Sequence, residues 1–178
     1  MSTLLKHRQV VKDTWQLVGA PPDAPVTLPA EGIDAIVPLS LWREQRTTLL
    51  ARSGRTGVWL EPSDDPAELF ANAPLPELIA VRFPAFTDGR GYSIARLLRE
   101  RHGYRGEVRA IGDVLHDTLF DLARCGFDAF ALRADQDAVE ALAAFDAYSE
   151  VYQAAADRGP LFARRFPRAA TQTDEALT

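Results

Sequence analysis

The sequence predicts an α/β fold of about five βα units around a mostly parallel sheet, and three observations predict it. Five short apolar runs are each followed by a stretch with helical spacing. Successive runs begin about 20 to 30 residues apart, the length of one strand plus its crossover helix. The helical stretches also carry start and stop signals at their ends. Strands alternating with helices form parallel sheets with right-handed crossovers. Two architectures satisfy this pattern, an open doubly wound sheet and a partial TIM-barrel-like sheet. Charged residues inside the strands, and the glycine-led strand GFDAFALR, suit a barrel.

Residues 1–32 read as an N-terminal arm or hairpin packed on the core, with VVKDTWQLV as its pairing segment. Pro21, Pro22, Pro25 and Pro29 argue against a regular element after it. A single α/β domain is expected over 33–158. Its first run is 33–41, IDAIVPLSL, leading into a helix over 42–52. The second run, TGVWLE at 56–61, precedes Asp65-Pro66-Ala67-Glu68, an acidic cap followed by proline at the first helical position and glutamate at the third. The third, LIAVRF at 78–83, leads to a helix within 91–102, with Ile94, Leu97 and Leu98 as its apolar stripe and Gly103 as its stop. The fourth, EVRAIG at 107–112, precedes a helix from about Val114 with Leu115, Leu119 and Leu122 inward and Gly126 as C-cap. The fifth, 127–133, precedes a helix after Asp135, its stripe running through Val139, Leu142, Phe145, Tyr148 and Tyr152. Residues 159–178 lack periodicity, and a frayed tail is expected there.

Composition narrows the function classes. A chain of 178 residues, 47% apolar and 25% charged, can bury a core without staples. A net charge of −5 argues against a surface that binds nucleic acid by neutralising phosphates. One cysteine excludes a disulfide framework, a four-thiolate zinc site and a protein-held iron–sulfur cluster. His7, His102 and His116 are too dispersed to suggest a metal site. The N-terminus turns basic early and no run approaches the 18 or so apolar residues of a membrane span, so a cytoplasmic protein is expected. No dinucleotide fingerprint, P-loop, CxxC or serine elbow is present, so no motif supports a cofactor.

In parallel α/β sheets, ligands bind beyond the carboxyl ends of the strands. The segment FPAFTDGRGYS is the most unusual loop there. Asp88, Gly89, Arg90, Gly91 and Ser93, with Arg96 one turn on, form a candidate anion site. Backbone N–H groups at a helix start and two guanidiniums would hold a phosphate, sulfate or carboxylate. The competing reading is a tight turn capped by Asp88. A second candidate is a polar cluster at the strand ends, formed by Glu61, Arg82, Arg109, Asp113 and Arg133. Charges inside a covered sheet are costly unless paired, so these residues share a site, or the strand ends simply reach solvent, or Glu61 and an arginine pair only to specify packing. His116 reads as a surface residue and Cys125 as a small buried hydrophobe.

The motifs F-x-D-G-R-G-x-S (86–93), R-A-x-G-D-V (109–114) and C-G-F-D-A-F (125–130) resemble a bacterial family of unknown function, the DUF934 family. The likeness extends more weakly over 33–153. Members carry an oxidoreductase label tied to sulfite reduction, and their genes lie beside those of sulfate assimilation. The resemblance therefore implies an accessory protein or oxidoreductase in the supply of sulfide for cysteine, with sulfite reductase or another sulfate-assimilation enzyme as partner. It brings no catalytic residues to carry over. Two alternatives stand beside it. One is a small enzyme acting on a sulfur oxyanion or phosphorylated metabolite at 88–93. The other is an interaction scaffold, possible as a homo-oligomer, with an apolar patch around Phe145, Tyr148 and Tyr152.

Overall fold

A computed structural model describes residues 3–19, 26–147 and 154–156. Eight strands run in chain order: β1 Thr3–Lys6, β2 Gln9–Lys12, β3 Gln16–Leu17, β4 Ala35–Pro38, β5 Thr56–Leu60, β6 Leu78–Phe83, β7 Glu107–Gly112 and β8 Ala129–Phe130. They form one sheet in the order β2-β1-β8-β7-β6-β5-β4-β3. From β3 to β8 every neighbouring pair is parallel, and β1 joins β8 and β2 antiparallel. The five βα strands lie side by side in sequence order, so right-handed crossovers place every connecting helix on the same face. A doubly wound sheet needs a reversal of strand order, and none occurs between β4 and β8. The fold is a curled half-barrel.

The degree of curl follows from the N-terminal strands. Laid flat, eight strands would hold β2 and β3, at opposite edges, about 34 Å apart. Only Asp13, Thr14 and Trp15 link them, and four residue steps reach at most about 14 Å. The sheet therefore bends until its edges nearly meet, and residues 13–15 strap the gap. The hairpin predicted within the N-terminal arm starts earlier than VVKDTWQLV suggests. It turns at His7 and Arg8, both with positive φ (49° and 60°), the pairing of conformations that suits a two-residue hairpin turn.

Strand alternation divides the side chains between two faces. Val37, Val58, Leu60, Ile79, Val81, Val108, Ala110 and Phe130 face the helices and form the main core. Each such fully buried aliphatic side chain contributes about 1.5–3 kcal/mol. The concave face carries a smaller apolar cluster of Ile36, Trp59, Leu78, Ala80 and Ile111, on which Trp15 of the strap packs. Trp59 donates its indole N–H to the Val18 carbonyl at 2.9 Å, tying the chain beyond the strap to the sheet.

The helices are shorter and less regular than their sequence patterns imply. α1, Leu39–Ala51, starts three residues before the expected 42. The segment Pro66–Ala71 is a 3-10 helix rather than an α-helix. Asp65 caps the Ala67 N–H at 2.9 Å as read, but Glu68 pairs with Arg43 instead of completing a capping box. α2, Arg90–Arg96, continues as a wide turn to Arg101. Its buried stripe is Ile94, Ala95 and Leu98, while Leu97 is 38% exposed, a correction to the predicted stripe. A 3-10 turn at His116–Thr118 precedes α3, Leu119–Arg124, which ends at Gly126 with φ of 109°. α4, Ala138–Ala141, gives way to a 3-10 segment at Leu142–Asp146. Val139 points outward, 70% exposed, and Phe145 inward. Phe145 packs against Phe130, with ring centroids 5.2 Å apart, so it does not contribute to the expected exposed patch. Tyr148, Tyr152 and the expected tail at 159–178 lie outside the described residues.

Candidate functional site

The carboxyl ends of the parallel strands open on one edge of the half-barrel. A groove runs there along the concave face, as two adjoining cavities of about 380 and 260 Å3 that share Leu17, Ile111 and Gly112. Ile36, Ala131 and Leu132 complete its apolar wall, and Arg82, Asp113 and Arg133 stand at its mouth. Gly112 shapes this mouth. Its φ is 94°, and a Cβ there would lie 2.4 Å from the Phe83 carbonyl oxygen. The next residue, Asp113, donates its N–H to that same oxygen at 2.8 Å.

The strand-end charges resolve into separate sets rather than one cluster. Glu61 accepts from Nη1 of Arg82 across adjacent strands. Asp113 accepts from Nη1 of Arg133 at 2.8 Å, and from the Phe86 N–H at 2.9 Å. Arg133 gives its remaining donors to Asp135, at 2.7 and 2.8 Å. The guanidinium beside Asp135 holds that carboxyl down at about 2, and the two carboxylates hold Arg133 above its ordinary value.

Arg109 belongs elsewhere. It points from the middle of β7 into the half-barrel and is 2% exposed. Nη1 reaches both oxygens of Asp13 in the strap, and Nε and Nη2 each reach Oε1 of Glu107 at 2.7 Å. Lys6 donates to the other oxygen of Glu107 at 2.7 Å. Burial pushes the Glu107 carboxyl up, but Arg109 and Lys6 outweigh it and the group sits below its ordinary value. Two cations and two carboxylates thus neutralise one another inside the sheet. Asp13 and Glu107 were missed as candidates, although Glu107 and Arg109 sit two apart in β7 and must share a face.

The charged groups of the loop at Asp88–Ser93 are largely engaged within the loop and its helix. Arg90 folds back on Asp88, with Nε and Nη2 at 3.0 and 2.7 Å, and the Asp88 carboxylate also takes the Arg90 N–H. That guanidinium keeps Asp88 below its usual value. Arg96 pairs with Glu100 one turn along the helix. Ser93 is exposed, and Gly89 has open space around its Cβ position. Gly91 has a packing role, since a Cβ there would lie 2.5 Å from the Phe83 ring. Arg90 links the loop to the strand-end charges, since it feels the Glu61 carboxylate.

One property of this edge emerges only when its loops are taken together. The segments after β5, β6, β7 and β8 carry Glu61, Asp64, Asp65, Asp88, Asp113, Asp117, Asp135 and Asp137. Against these stand the arginines Arg82, Arg90 and Arg133, each already paired with a carboxylate. Glu68, paired with Arg43, and Glu140 extend the rim onto the first turns of the following helices, and Glu44 lies in the second turn of α1. The edge is strongly acidic, and Asp137, which accepts the Val139 and Glu140 N–H groups, is held below its ordinary value.

Cys125 is half-buried at the end of α3 rather than fully buried. His116 is exposed, between Gln136 and Asp117. Among the described residues no three His, Cys, Asp or Glu side chains gather as metal ligands, and no helix is long and apolar enough to cross a membrane.

The profile of a family described as "Bacterial protein of unknown function (DUF934)" matches residues 57–162. The chain belongs to the DUF934 family. The matched segment holds β5 to β8 and the groove mouth of this DUF934 protein, while the strap that supplies Asp13 and Trp15 lies before it. No curated protein matches the chain.

Proposed function

We propose that this DUF934 protein is an accessory of assimilatory sulfite reduction, acting in the cytoplasm by docking its acidic strand-end edge onto a basic face of sulfite reductase or another sulfate-assimilation enzyme. The acidic rim carries this reading: four successive βα loops present eight carboxylates around a groove whose arginines are already paired. An enzyme that takes up sulfite or sulfate needs positive potential at its entrance. A partner with the opposite field is steered to that entrance and oriented there. The family resemblance supplies the pathway, and the electron transfer is assigned to the partner.

The test is binding of the purified protein to sulfite reductase by calorimetry at low and high salt. Glu44, Asp117 and Glu140 are exposed and suit charge reversal to lysine. A complex that weakens with salt, and weakens about tenfold or more in the triple variant, is expected. No complex at low salt, or undiminished binding by the triple variant, overturns the proposal.

A second reading rests on Arg82, which lines the groove and uses one guanidinium nitrogen on Glu61. Its Nε and Nη2 have no hydrogen-bond partner among the described residues, whereas Arg109 and Arg133 have all three nitrogens engaged. Those donors suit a sulfur oxyanion or a phosphate. Sulfite, sulfate or inorganic phosphate should then raise the melting temperature of the wild type, and Arg82→Gln should abolish the shift. A wild type unmoved by all three sinks this reading.

A further inference from the structure

We propose that the opposite mouth of the half-barrel, at the amino ends of the strands, holds a second site for a small organic anion with a flat apolar body, a carboxylate or a phosphate ester. A cavity of about 400 Å3 opens there, within the size range of small-ligand pockets. It lies on the far side of the strap from the groove and shares Asp13, Trp15 and Arg109 with it.

Its charges favour an anion. The carboxylates of the cavity are all engaged: Glu107 by Lys6 and Arg109, Asp13 by Arg109 and the Trp15 N–H, and Glu77 by Arg55. The lining cations outnumber the lining carboxylates four to three. Arg55, however, is held chiefly by Asp34 outside the cavity, so the donors left over are those of the lysines. Lys12 lines the cavity and has no partner among the described residues, and Lys6 uses one of its three N–H donors. An incoming carboxylate or phosphate oxygen would therefore find ammonium donors and displace no existing ion pair.

Its walls favour a flat apolar body. Leu4, Val11 and Leu78 line the cavity beside the Trp15 indole. The Arg55 guanidinium lies 4.8 Å from the centre of that indole and steadies it. The guanidinium covers one face of the ring, and the part of the indole left exposed in the cavity, beside Val11, is the apolar contact offered to a planar group. An inorganic ion would meet the lysines but leave this wall unused. The site is at the other end of the sheet from the docking edge and does not depend on it.

Acrylamide quenching of tryptophan fluorescence reads the site directly. Trp42 and Trp59 are 4% and 5% exposed, so the half-buried Trp15 dominates quenching by a neutral collider. Benzoate, adenosine 5′-monophosphate and inorganic phosphate serve as probes. Saturable protection by benzoate or the nucleotide at or below about 10 mM, and none by phosphate, is the expected result. Lys12→Gln, at an exposed residue without a described partner, should weaken that protection by about tenfold while leaving the melting temperature unchanged. Absence of protection by both organic probes, equal protection by phosphate, or undiminished affinity in Lys12→Gln overturns the proposal.

Discussion

Asp13 takes both of its bonds to Arg109 from a single nitrogen, Nη1, with 3.0 Å to each carboxylate oxygen. The two residues are 96 positions apart, and the contact fixes the strap to the middle of β7. Asp13 also accepts the Trp15 N–H at 3.1 Å, so one carboxylate shapes the strap and anchors it.

Removing that carboxylate leaves a buried guanidinium with Glu107 as its remaining partner. Asp13→Ala should therefore destabilise the fold by about 3–5 kcal/mol. Urea unfolding measures this. A loss below about 1 kcal/mol would show that the strap is held by Trp15 packing alone.

The acid response should carry a signature of Glu107. Its folded-state value lies below the ordinary glutamate value, so its ionised form contributes stability above about pH 4.3. That contribution disappears as pH falls through the depressed folded value. Glu107→Gln should lose stability at neutral pH and show a shallower decline below about pH 4.3 than the wild type. Asp128 works in the opposite sense, because burial raises its carboxyl above the ordinary value. Its contribution to stability is present below the ordinary aspartate value and is lost as pH rises through the raised one. Parallel acid curves for Glu107→Gln and wild type would contradict the assignment.

Two glycines meet the same phenylalanine and should behave differently. Gly91→Ala drives a methyl into the Phe83 ring, and Gly112→Ala drives one into the Phe83 backbone carbonyl at a positive φ. The first should cost about 1–3 kcal/mol and recover when Phe83 is shortened to leucine. The second should cost more and not recover with that change, because the obstacle is main chain. Chemical denaturation of the two single and two double variants decides the matter.

Arg99 closes the amino-end side of the sheet by donating to the Gly126, Tyr104 and Gly106 carbonyls and to Asp128, at 2.8–2.9 Å. An ammonium cannot reach four acceptors in that fan. Arg99→Lys should lower stability by about 2–4 kcal/mol. A shift in urea midpoint no larger than that of an exposed control such as Arg105→Lys would contradict this.

The sequence was most legible where periodicity is local. The runs at 78–83 and 107–112 coincide with β6 and β7 to the residue, and the run at 56–61 overshoots β5 by one. The fifth run shrinks to Ala129–Phe130, and at its start Asp128 takes the Val108 N–H with its side chain, at 3.0 Å. Within the expected N-terminal hairpin, the sequence does not single out β1, and it places β3 in the VVKDTWQLV segment rather than on β4 as an edge strand. Each is short, and β1 has β8 as its second partner, with Leu5 against Phe130, a separation that nothing in the local pattern marks. The site shows the same division. Each acidic residue at the strand ends is legible singly as a cap or an ion-pair partner, but the rim exists only once parallel strands bring four loops to one edge. Asp13 carries no local sign of its partner.

The strap also bears on the order in which the protein can be completed during synthesis. β1 and the strap leave the ribosome well before the strands they join, since Leu5 pairs with Phe130 and Asp13 with Arg109. At about 5–20 residues per second, that segment waits on the order of ten seconds for its partners. Until β8 emerges, β1 and β2 can form no more than an isolated hairpin, which is marginally stable at best in water, and the parallel strands have nothing to seal their edges. The strap is made early and fixed late, so it acts as the clasp that closes a nearly finished half-barrel.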